Sequence, residues 1–122
     1  MGTINDLLVY KKGFKLAMDI FHVKHQFPEE ERYSLTSQIV KSSRSVCINL
    51  REGYRKRTYP SHFISKCTDA DMENYETQGW LEFALHCKYI TEAEFKTLKS
   101  QSEEVGRLIN DMINNPGKYG AK

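Results

Sequence analysis

The chain has 122 residues, of which 39% are hydrophobic and 28% charged, and its formal net charge at neutral pH is +2. This length suits one domain, and the composition excludes an intrinsically disordered or collagen-like chain. No apolar run approaches the roughly 20 residues that span a bilayer, and the first residues lack the basic-then-apolar pattern of a secretory signal. We therefore expect a single cytoplasmic domain over residues 1–122, without membrane association.

The first half of the sequence predicts two helices. Apolar residues recur at steps of three and four from Leu7 to Phe21, including Phe14, which predicts a helix over about 5–26. A second helix is predicted over about 35–56, with Ser34 as its N-cap. Its expected seam mixes apolar and small residues, which allow another helix to approach closely: Leu35, Ile39, Ser42, Val46, Leu50 and Gly53.

The second half predicts two more helices. Pro60 suits the first turn of a helix over about 60–88. Thr91 and Glu94 fit a capping box that starts a helix over about 92–114. No strand-like alternation competes with these patterns, and the connections are short. The expected fold class is all-α, an antiparallel up-down-up-down four-helix bundle.

Residues that carry enzyme or metal chemistry form no recognisable constellation. Cys47, Cys67 and Cys87 contain no Cys-x-x-Cys pair, so we expect them to be free thiols among apolar neighbours in a reducing compartment. His22 and His25 share a helix, but no matching Glu-x-x-His motifs of a di-iron bundle accompany them. There is no glycine-rich phosphate loop. The prediction is a non-enzymatic protein with no catalytic residues, no metal and no cofactor.

Charge is distributed unevenly along the chain. Residues 34–59 carry six basic residues and one acidic residue, whereas residues 60–90 carry two basic and five acidic ones. The candidate nucleic-acid-binding residues are Lys41, Arg44, Arg51, Arg55, Lys56 and Arg57. Such a stripe suits phosphate contacts, and Tyr54 and Tyr59 beside it could stack on bases. The stripe could equally face the acidic third helix of a neighbouring subunit, and charge alone does not choose between these alternatives.

Three separated motifs occur in the order and spacing of one family. Residues 33–39 read Tyr-Ser-Leu-Thr-Ser-Gln-Ile, residues 49–53 supply the motif positions Asn49, Glu52 and Gly53, and residues 74–84 complete the pattern. Together they resemble the four-helix-bundle proteins encoded in 23S rRNA intervening sequences, also called the S23 ribosomal protein family. Asn49 and Glu52 are expected either to form a polar pair that fixes helix register or to contact a ligand or subunit.

The resemblance implies a bacterial, cytoplasmic, all-helical protein. The family is similar to the accessory variability proteins of diversity-generating retroelements, which assemble as homopentamers and bind nucleic acid and a reverse transcriptase. By that similarity, a homopentamer that binds RNA or DNA is expected. Two functions remain open at this point. One is a homo-oligomeric nucleic-acid-binding or accessory protein, and the other is a protein–protein adaptor or scaffold that binds no nucleic acid.

Overall fold

The computed structural model describes residues 2–122, which form four α-helices and no strands. The helices are α1 (Leu8–Val23), α2 (Leu35–Arg55), α3 (Pro60–His86) and α4 (Glu92–Asn114). Short 3-10 turns flank them at Ile4–Asp6, Lys24–Gln26, Glu29–Glu31 and Pro116–Tyr119. The all-α fold class is therefore confirmed. No helix among the described residues is both long enough and apolar enough to cross a membrane.

Neighbouring helices run in opposite directions. Arg51, late in α2, contacts Tyr10 early in α1, whereas Arg44, earlier in α2, lies over the ring of Phe21 late in α1. Each helix packs beside the next one in the sequence, and α4 also packs against α1. The four helices therefore form a closed bundle whose two ends are distinct. One end carries the connection between α2 and α3, and the other carries the two remaining connections.

The first helix is shorter than the predicted 5–26. Thr3 and Asp6 form a capping box around a separate 3-10 turn, in which Asp6 Oδ2 accepts from the Thr3 N–H and the Thr3 hydroxyl accepts from the Asn5 N–H. Leu7 then adopts an extended conformation, so the α-helix begins only at Leu8. At the other end, a further 3-10 turn replaces the last predicted helical residues.

The buried face of α1 also differs from the predicted stripe. Phe14 is 51% exposed, although the apolar spacing predicts it to face inward. Gly13 faces inward instead and lies against Cys47 of α2, where a glycine lets the neighbouring side chain pack on the helix backbone. The buried residues of α1 are Val9, Tyr10, Gly13, Leu16, Ala17 and Ile20.

Ser34 occupies the predicted N-cap position of α2, but its side chain does not cap the helix. The Ser34 side chain makes no bond to the first turn of the helix. Instead, Glu31 Oε1 accepts hydrogen bonds from the Leu35 backbone N–H at 3.2 Å and from Ser34 Oγ at 2.6 Å. Glu31 Oε2 also accepts the Tyr89 hydroxyl at 2.9 Å. These bonds, that from Ser34 above all, lower the pKa of the Glu31 carboxyl group.

The third helix ends at His86, two residues earlier than predicted. Lys88 adopts a left-handed conformation with φ of 64°. Its backbone N–H donates to the Leu85 carbonyl, and the N–H of Tyr89 donates to the Ala84 carbonyl, both at 2.9 Å. This is the Schellman pattern that closes many helices. The capping box of Thr91 and Glu94 at the start of α4 is confirmed.

Buried apolar side chains form two clusters, one toward each end of the bundle. The cluster at the α2–α3 end includes Leu50 and Phe63. The cluster at the opposite end includes Ile39 and Leu81. All six predicted seam residues of α2 are buried, and two of them, Ser42 and Gly53, have no apolar side chain. The boundary between the two apolar clusters therefore lies where buried polar side chains take the place of apolar ones.

A layer of hydrogen-bonded polar side chains lies between the two clusters. The hydroxyls of Ser42 in α2 and Thr77 in α3 are 2.8 Å apart. Asn74 Nδ2 donates to the Ser102 carbonyl of α4, and Ser102 Oγ donates to Asn74 Oδ1, both at 2.9 Å. Gln78 Nε2 donates to Ser102 Oγ at 3.0 Å. Because these polar groups are satisfied only in one arrangement, the layer fixes the register of α3 against α2 and α4.

We expect Ser102→Ala to lower the free energy of unfolding by about 1–3 kcal/mol, because it removes a hydrogen-bond partner from Asn74 Oδ1 and Gln78 Nε2. Urea denaturation followed by circular dichroism measures this change. Ser100→Ala makes the same substitution at an exposed position of α4 and should change stability by less than about 0.5 kcal/mol. Equal, small effects of the two substitutions would contradict a register-fixing role for the layer.

Candidate nucleic-acid interface

A groove of about 1090 Å³ opens at the α2–α3 end of the bundle. Its walls come from residues 2–4, from the end of α2 with the start of the following connection, and from Gly120 and Lys122. Among the described residues that line it, Glu52 is the one acidic side chain, and the basic ones are Arg51, Arg55, Lys56, Arg57, Lys66 and Lys122. A concave surface lined by one sign of charge concentrates the electrostatic potential for a ligand of opposite charge. We call this surface the basic groove.

The structure divides the predicted basic stripe into two parts. Arg51, Arg55, Lys56 and Arg57 all line the basic groove. Lys41 and Arg44 do not, because they lie nearer the middle of α2, about 10 Å or more along the helix from Arg51. The Arg44 guanidinium lies 5.3 Å from the centre of the Phe21 ring. Lys41 lies close enough to Glu73 to oppose the rise in the pKa of Glu73 that burial causes.

Arg51 ties the segment before α1 to α2. Its Nε and Nη2 donate to the Tyr10 hydroxyl at 3.3 and 3.1 Å, and Nη2 also donates to Asn5 Oδ1 at 3.0 Å. The guanidinium also lies 5.2 Å from the centre of the Tyr10 ring. These partners are neutral, so the positive charge of Arg51 still contributes to the groove.

Arg57 holds the C-terminal turn in the same way. Its Nε donates to the Tyr54 carbonyl at 2.8 Å, and its Nη1 donates to the Tyr119 carbonyl at 3.3 Å. Gly120 adopts a left-handed conformation with φ of 89°, and a Cβ there would lie 3.1 Å from Arg57 Nη1. Glycine adopts this backbone conformation without strain and leaves room for the close approach of the arginine.

Arg55 and Lys56 are exposed and, unlike Arg51 and Arg57, do not hold the walls of the groove. Neither side chain makes a hydrogen bond or ion pair with another described residue, and both lie in the wall of the basic groove. An exposed cation without an internal partner can meet a ligand without first breaking a contact. Together with Lys122, which is likewise exposed and unpaired among residues 2–122, these two residues are therefore the groove cations that are most available to an anionic ligand.

Asn49 and Glu52 do not bond each other as the expected polar pair. Asn49 donates from Nδ2 to the Ser45 carbonyl of its own helix at 2.9 Å. Glu52 pairs with Lys66 of α3 at 2.9 Å, a hydrogen bond that raises the pKa of Lys66. A Cβ at Gly53 would lie 3.0 Å from the Cβ of Lys66, so glycine allows α2 and α3 to approach closely here. Glu52 and Gly53 thus serve the α2–α3 contact, and Asn49 does not join them.

Sequence reasoning missed Lys66, Lys122 and residues 2–4 as parts of the groove. Lys66 had a usable signal, since it lies seven residues after Tyr59 while Glu52 lies seven residues before it. In an antiparallel helix pair, residues equally far from the connection lie opposite each other. The chain ends had no such signal, because their positions depend on the contacts of Arg51 and Arg57.

A second surface feature is an apolar stripe on α3. Met72 and Phe83 are 70% and 60% exposed, Tyr75 is also exposed, and Gly79 lies between them on the same side of the helix. A Cβ at Gly79 would meet no atom of residues 2–122 within 4 Å, so packing among these residues does not require the glycine. An interior helical glycine costs roughly 1 kcal/mol relative to alanine. Acidic residues accompany this α3 stripe: Asp69, Glu76 and Glu82.

A third surface combines apolar and basic residues across α1 and α2. Phe14 and Met18 of α1 and Ile48 of α2 are exposed. The contacts of α1 with α2 place Ile48 about level with Phe14. Lys41 and Arg44 lie on the same outer side of α2. We call this surface the α1–α2 face, and its charge is opposite to that beside the α3 stripe.

The described residues contain no group of three His, Cys, Asp or Glu side chains placed to hold a metal ion. Cys47 and Cys67 are buried free thiols, and burial raises their pKa values to about 11 and about 12. Both are therefore protonated at neutral pH and poor nucleophiles. Cys87 is exposed, contrary to the expectation of apolar surroundings, because the helix ends there and turns away from the core.

These features define a small four-helix-bundle protein with a basic groove at one end. Residues 5–111 match the family model described as 23S rRNA-intervening sequence protein. The chain therefore belongs to the 23S rRNA-intervening sequence protein family, and the resemblance inferred from its three motifs is confirmed.

Comparison with solved structures gives the same placement. The crystal structure of a protein of unknown function from the S23 ribosomal protein family of Bacteroides thetaiotaomicron is similar to this chain, with a TM-score of 0.80 and 28% sequence identity. The match covers 88% of this chain and 96% of that chain. A search of curated proteins gave no significant match.

The C-terminal wall of the groove depends on Asp111. Its Oδ2 accepts hydrogen bonds from Lys118 Nζ at 2.8 Å and from the Tyr119 hydroxyl, and its Oδ1 accepts one from Asn115 Nδ2 at 2.9 Å. The bond from Lys118 contributes most to lowering the pKa of Asp111 below its ordinary value of 3.8. The carboxylate form is therefore the one that holds this turn.

We expect Asp111→Asn to lower stability at neutral pH but to have little effect in strong acid. A carboxyl group whose pKa is lowered by folding contributes fully above its unfolded-state pKa, and the contribution disappears as the pH falls through the folded-state pKa. Thermal unfolding of both proteins from about pH 7 down to about pH 2 tests this. Asp71→Asn, at a site without an ion pair among the described residues, is the control. A difference that is independent of pH would contradict the assignment.

Proposed function

We propose that this protein is a cytoplasmic, non-enzymatic nucleic-acid-binding protein that works as a homo-oligomer and contacts phosphate groups through its basic groove. The observation that carries this proposal is the concentration of six cationic side chains around one concave surface that holds a single carboxylate. Lysine and arginine contacts to phosphate supply most of the non-specific affinity of proteins for nucleic acids. Such contacts position a ligand without reading its sequence.

The family gives context for this proposal but does not choose the ligand. Its description refers to an intervening sequence of 23S rRNA, and the similar protein from Bacteroides thetaiotaomicron is described as having unknown function. The groove is therefore the feature on which the proposal depends. Both RNA and DNA present the phosphate groups that it would bind.

Some groove residues are expected to hold the walls of the groove, and others to contact the ligand. Arg51 and Arg57 hold the walls through hydrogen bonds to neutral groups. Arg55 and Lys56 make no side-chain hydrogen bond or ion pair with residues 2–122 and are expected to contact phosphates directly. Substitution of Arg51 would disturb both charge and structure, so Arg55 and Lys56 give the cleaner test.

We expect the double substitution Arg55→Ala, Lys56→Ala to weaken binding and to make it less sensitive to salt. For duplex DNA, the slope of log K against log salt concentration should become shallower by about 1.8, at about 0.9 for each lost phosphate contact. Fluorescence anisotropy titrations with duplex DNA and structured RNA at several salt concentrations measure both quantities.

The matched control is Lys96→Ala, Arg107→Ala, which removes the same charge from exposed positions on α4, outside the basic groove. The control variant should keep the wild-type slope. Equal weakening by the two double substitutions would show that net charge, and not the groove, determines binding. If the groove substitutions leave binding unchanged, Arg55 and Lys56 are not part of the interface.

The α3 stripe and the α1–α2 face support the homo-oligomeric part of the proposal. Both surfaces expose large apolar side chains, and their flanking charges are opposite in sign. Gly79 leaves room for a second helix to approach α3 closely. Contact between the α3 stripe of one copy and the α1–α2 face of the next would be heterologous, and such contacts close into rings when the rotation permits. By family resemblance we propose a pentamer.

We expect Phe83→Glu to reduce the molar mass in solution toward that of the 14.2 kDa monomer, because it places a charge within the apolar stripe that forms the proposed contact. Light scattering coupled to size-exclusion chromatography measures the mass. Leu8→Glu is the control, since Leu8 is exposed but outside both surfaces. A wild-type protein that is monomeric and binds no nucleic acid would overturn the proposal and favour the adaptor function, with the α3 stripe as its partner surface.

A further inference from the structure

We infer that the basic groove takes an unpaired strand of nucleic acid, with one base stacked on Tyr59. This inference rests on the proposed function and deepens it by naming the form of the ligand. It depends on the position of one exposed aromatic ring beside the groove and on the covering of another.

Tyr59 presents an exposed aromatic ring one residue beyond the lining of the groove. It directly follows Thr58, which lines the groove, and its side chain is 61% exposed. Its backbone is held on both sides: its N–H donates to the Lys56 carbonyl at 2.8 Å, and its carbonyl accepts from the N–H groups of His62 and Phe63 at 2.9 and 3.0 Å. The backbone that carries the ring is therefore ordered before any ligand arrives, which reduces the entropy cost of stacking.

The ring of Tyr59 lies close to the ring of His62. The His62 ring lies 5.7 Å from it between ring centres, with the two planes inclined by 35°. The exposed fraction of Tyr59 shows that most of its remaining surface meets solvent. A large aromatic surface held in this way, beside cations, is the arrangement that binds unpaired bases in single-strand-binding proteins.

Tyr54, which lines the groove, is not available in the same way. The Arg57 guanidinium lies 3.7 Å from the centre of its ring. Its hydroxyl donates to the Gly2 carbonyl at 3.4 Å. The sequence predicts both tyrosines as candidates for stacking, but in the structure Tyr54 already serves the groove wall, and Tyr59 is left for a ligand.

The charges beside Tyr59 suit a flexible strand. Arg55 and Lys56 precede Tyr59 by four and three residues, so phosphate contacts and a stacking surface occur in one short stretch of chain. In a duplex the base faces are covered by neighbouring bases, and a protein ring cannot reach them without unstacking the helix. An unpaired strand offers its bases freely, and stacking on an aromatic side chain is tolerant of sequence.

The test uses a labelled 12-nucleotide RNA that cannot fold on itself and the same RNA annealed to its complement. Anisotropy titrations should show tighter binding of the single strand. Tyr59→Ala should weaken single-strand binding about 5- to 150-fold, the effect of losing one stacked base. Tyr59→Phe keeps the ring and should bind like wild type. The salt dependence should stay unchanged in both variants, because stacking releases no counterions.

Tyr33→Ala is the matched control, since Tyr33 is 86% exposed and lies at the opposite end of the bundle. It should not change binding. Equal affinity for the two RNA forms overturns the inference. So does a Tyr59→Ala variant that binds normally while Arg55→Ala, Lys56→Ala does not, although this result leaves the proposed function intact. Failure of the wild-type protein to bind either RNA or duplex DNA overturns the proposed function itself.

Discussion

The hydrogen-bonded layer across the middle of the bundle is the constraint on which the remaining structure depends. Apolar side chains can pack in several registers at similar cost, whereas buried hydroxyl and amide groups need their partners in one. Ser42 with Thr77 fixes α2 against α3, and Asn74 with Ser102 fixes α3 against α4. The small side chains in this layer also let the helices approach closely. The two apolar clusters then fill the space above and below an arrangement that is already determined.

The groove follows from that arrangement. Once α2 and α3 are in register, Glu52 lies opposite Lys66, and the backbone at Gly53 can approach α3. The cations at the end of α2 are thereby brought beside a cation of α3. Arg51 and Arg57 then add both chain ends to the walls. The electrostatic character of this end is therefore a product of helix packing as much as of composition.

Sequence periodicity predicted the elements well where one helix face is clearly more apolar than the other, as in α2, and where local capping decides, as at Thr91. It misplaced the inward face of α1, because a glycine without hydrophobicity of its own packs there and turns Phe14 outward. The sequence also predicted that the Ser34 side chain caps α2. The hydrogen bond from the Leu35 N–H to Glu31 depends on the shape of the preceding turn, which periodicity does not reveal.

The candidate site, too, could be predicted only in part from the sequence. Charge density along α2 indicated a basic surface, and four of the six predicted cations line one groove. The separation of Lys41 and Arg44 from that groove, and the addition of Lys66 and Lys122, follow from tertiary contacts that no local pattern contains. Arg51 and Arg57 meet a stricter requirement than their neighbours. Lysine would keep their charge but lose the planar fork of donors that holds the chain ends. Exchange between arginine and lysine during evolution is therefore tolerable at residues 55 and 56. At residues 51 and 57 the same exchange would loosen the walls of the groove.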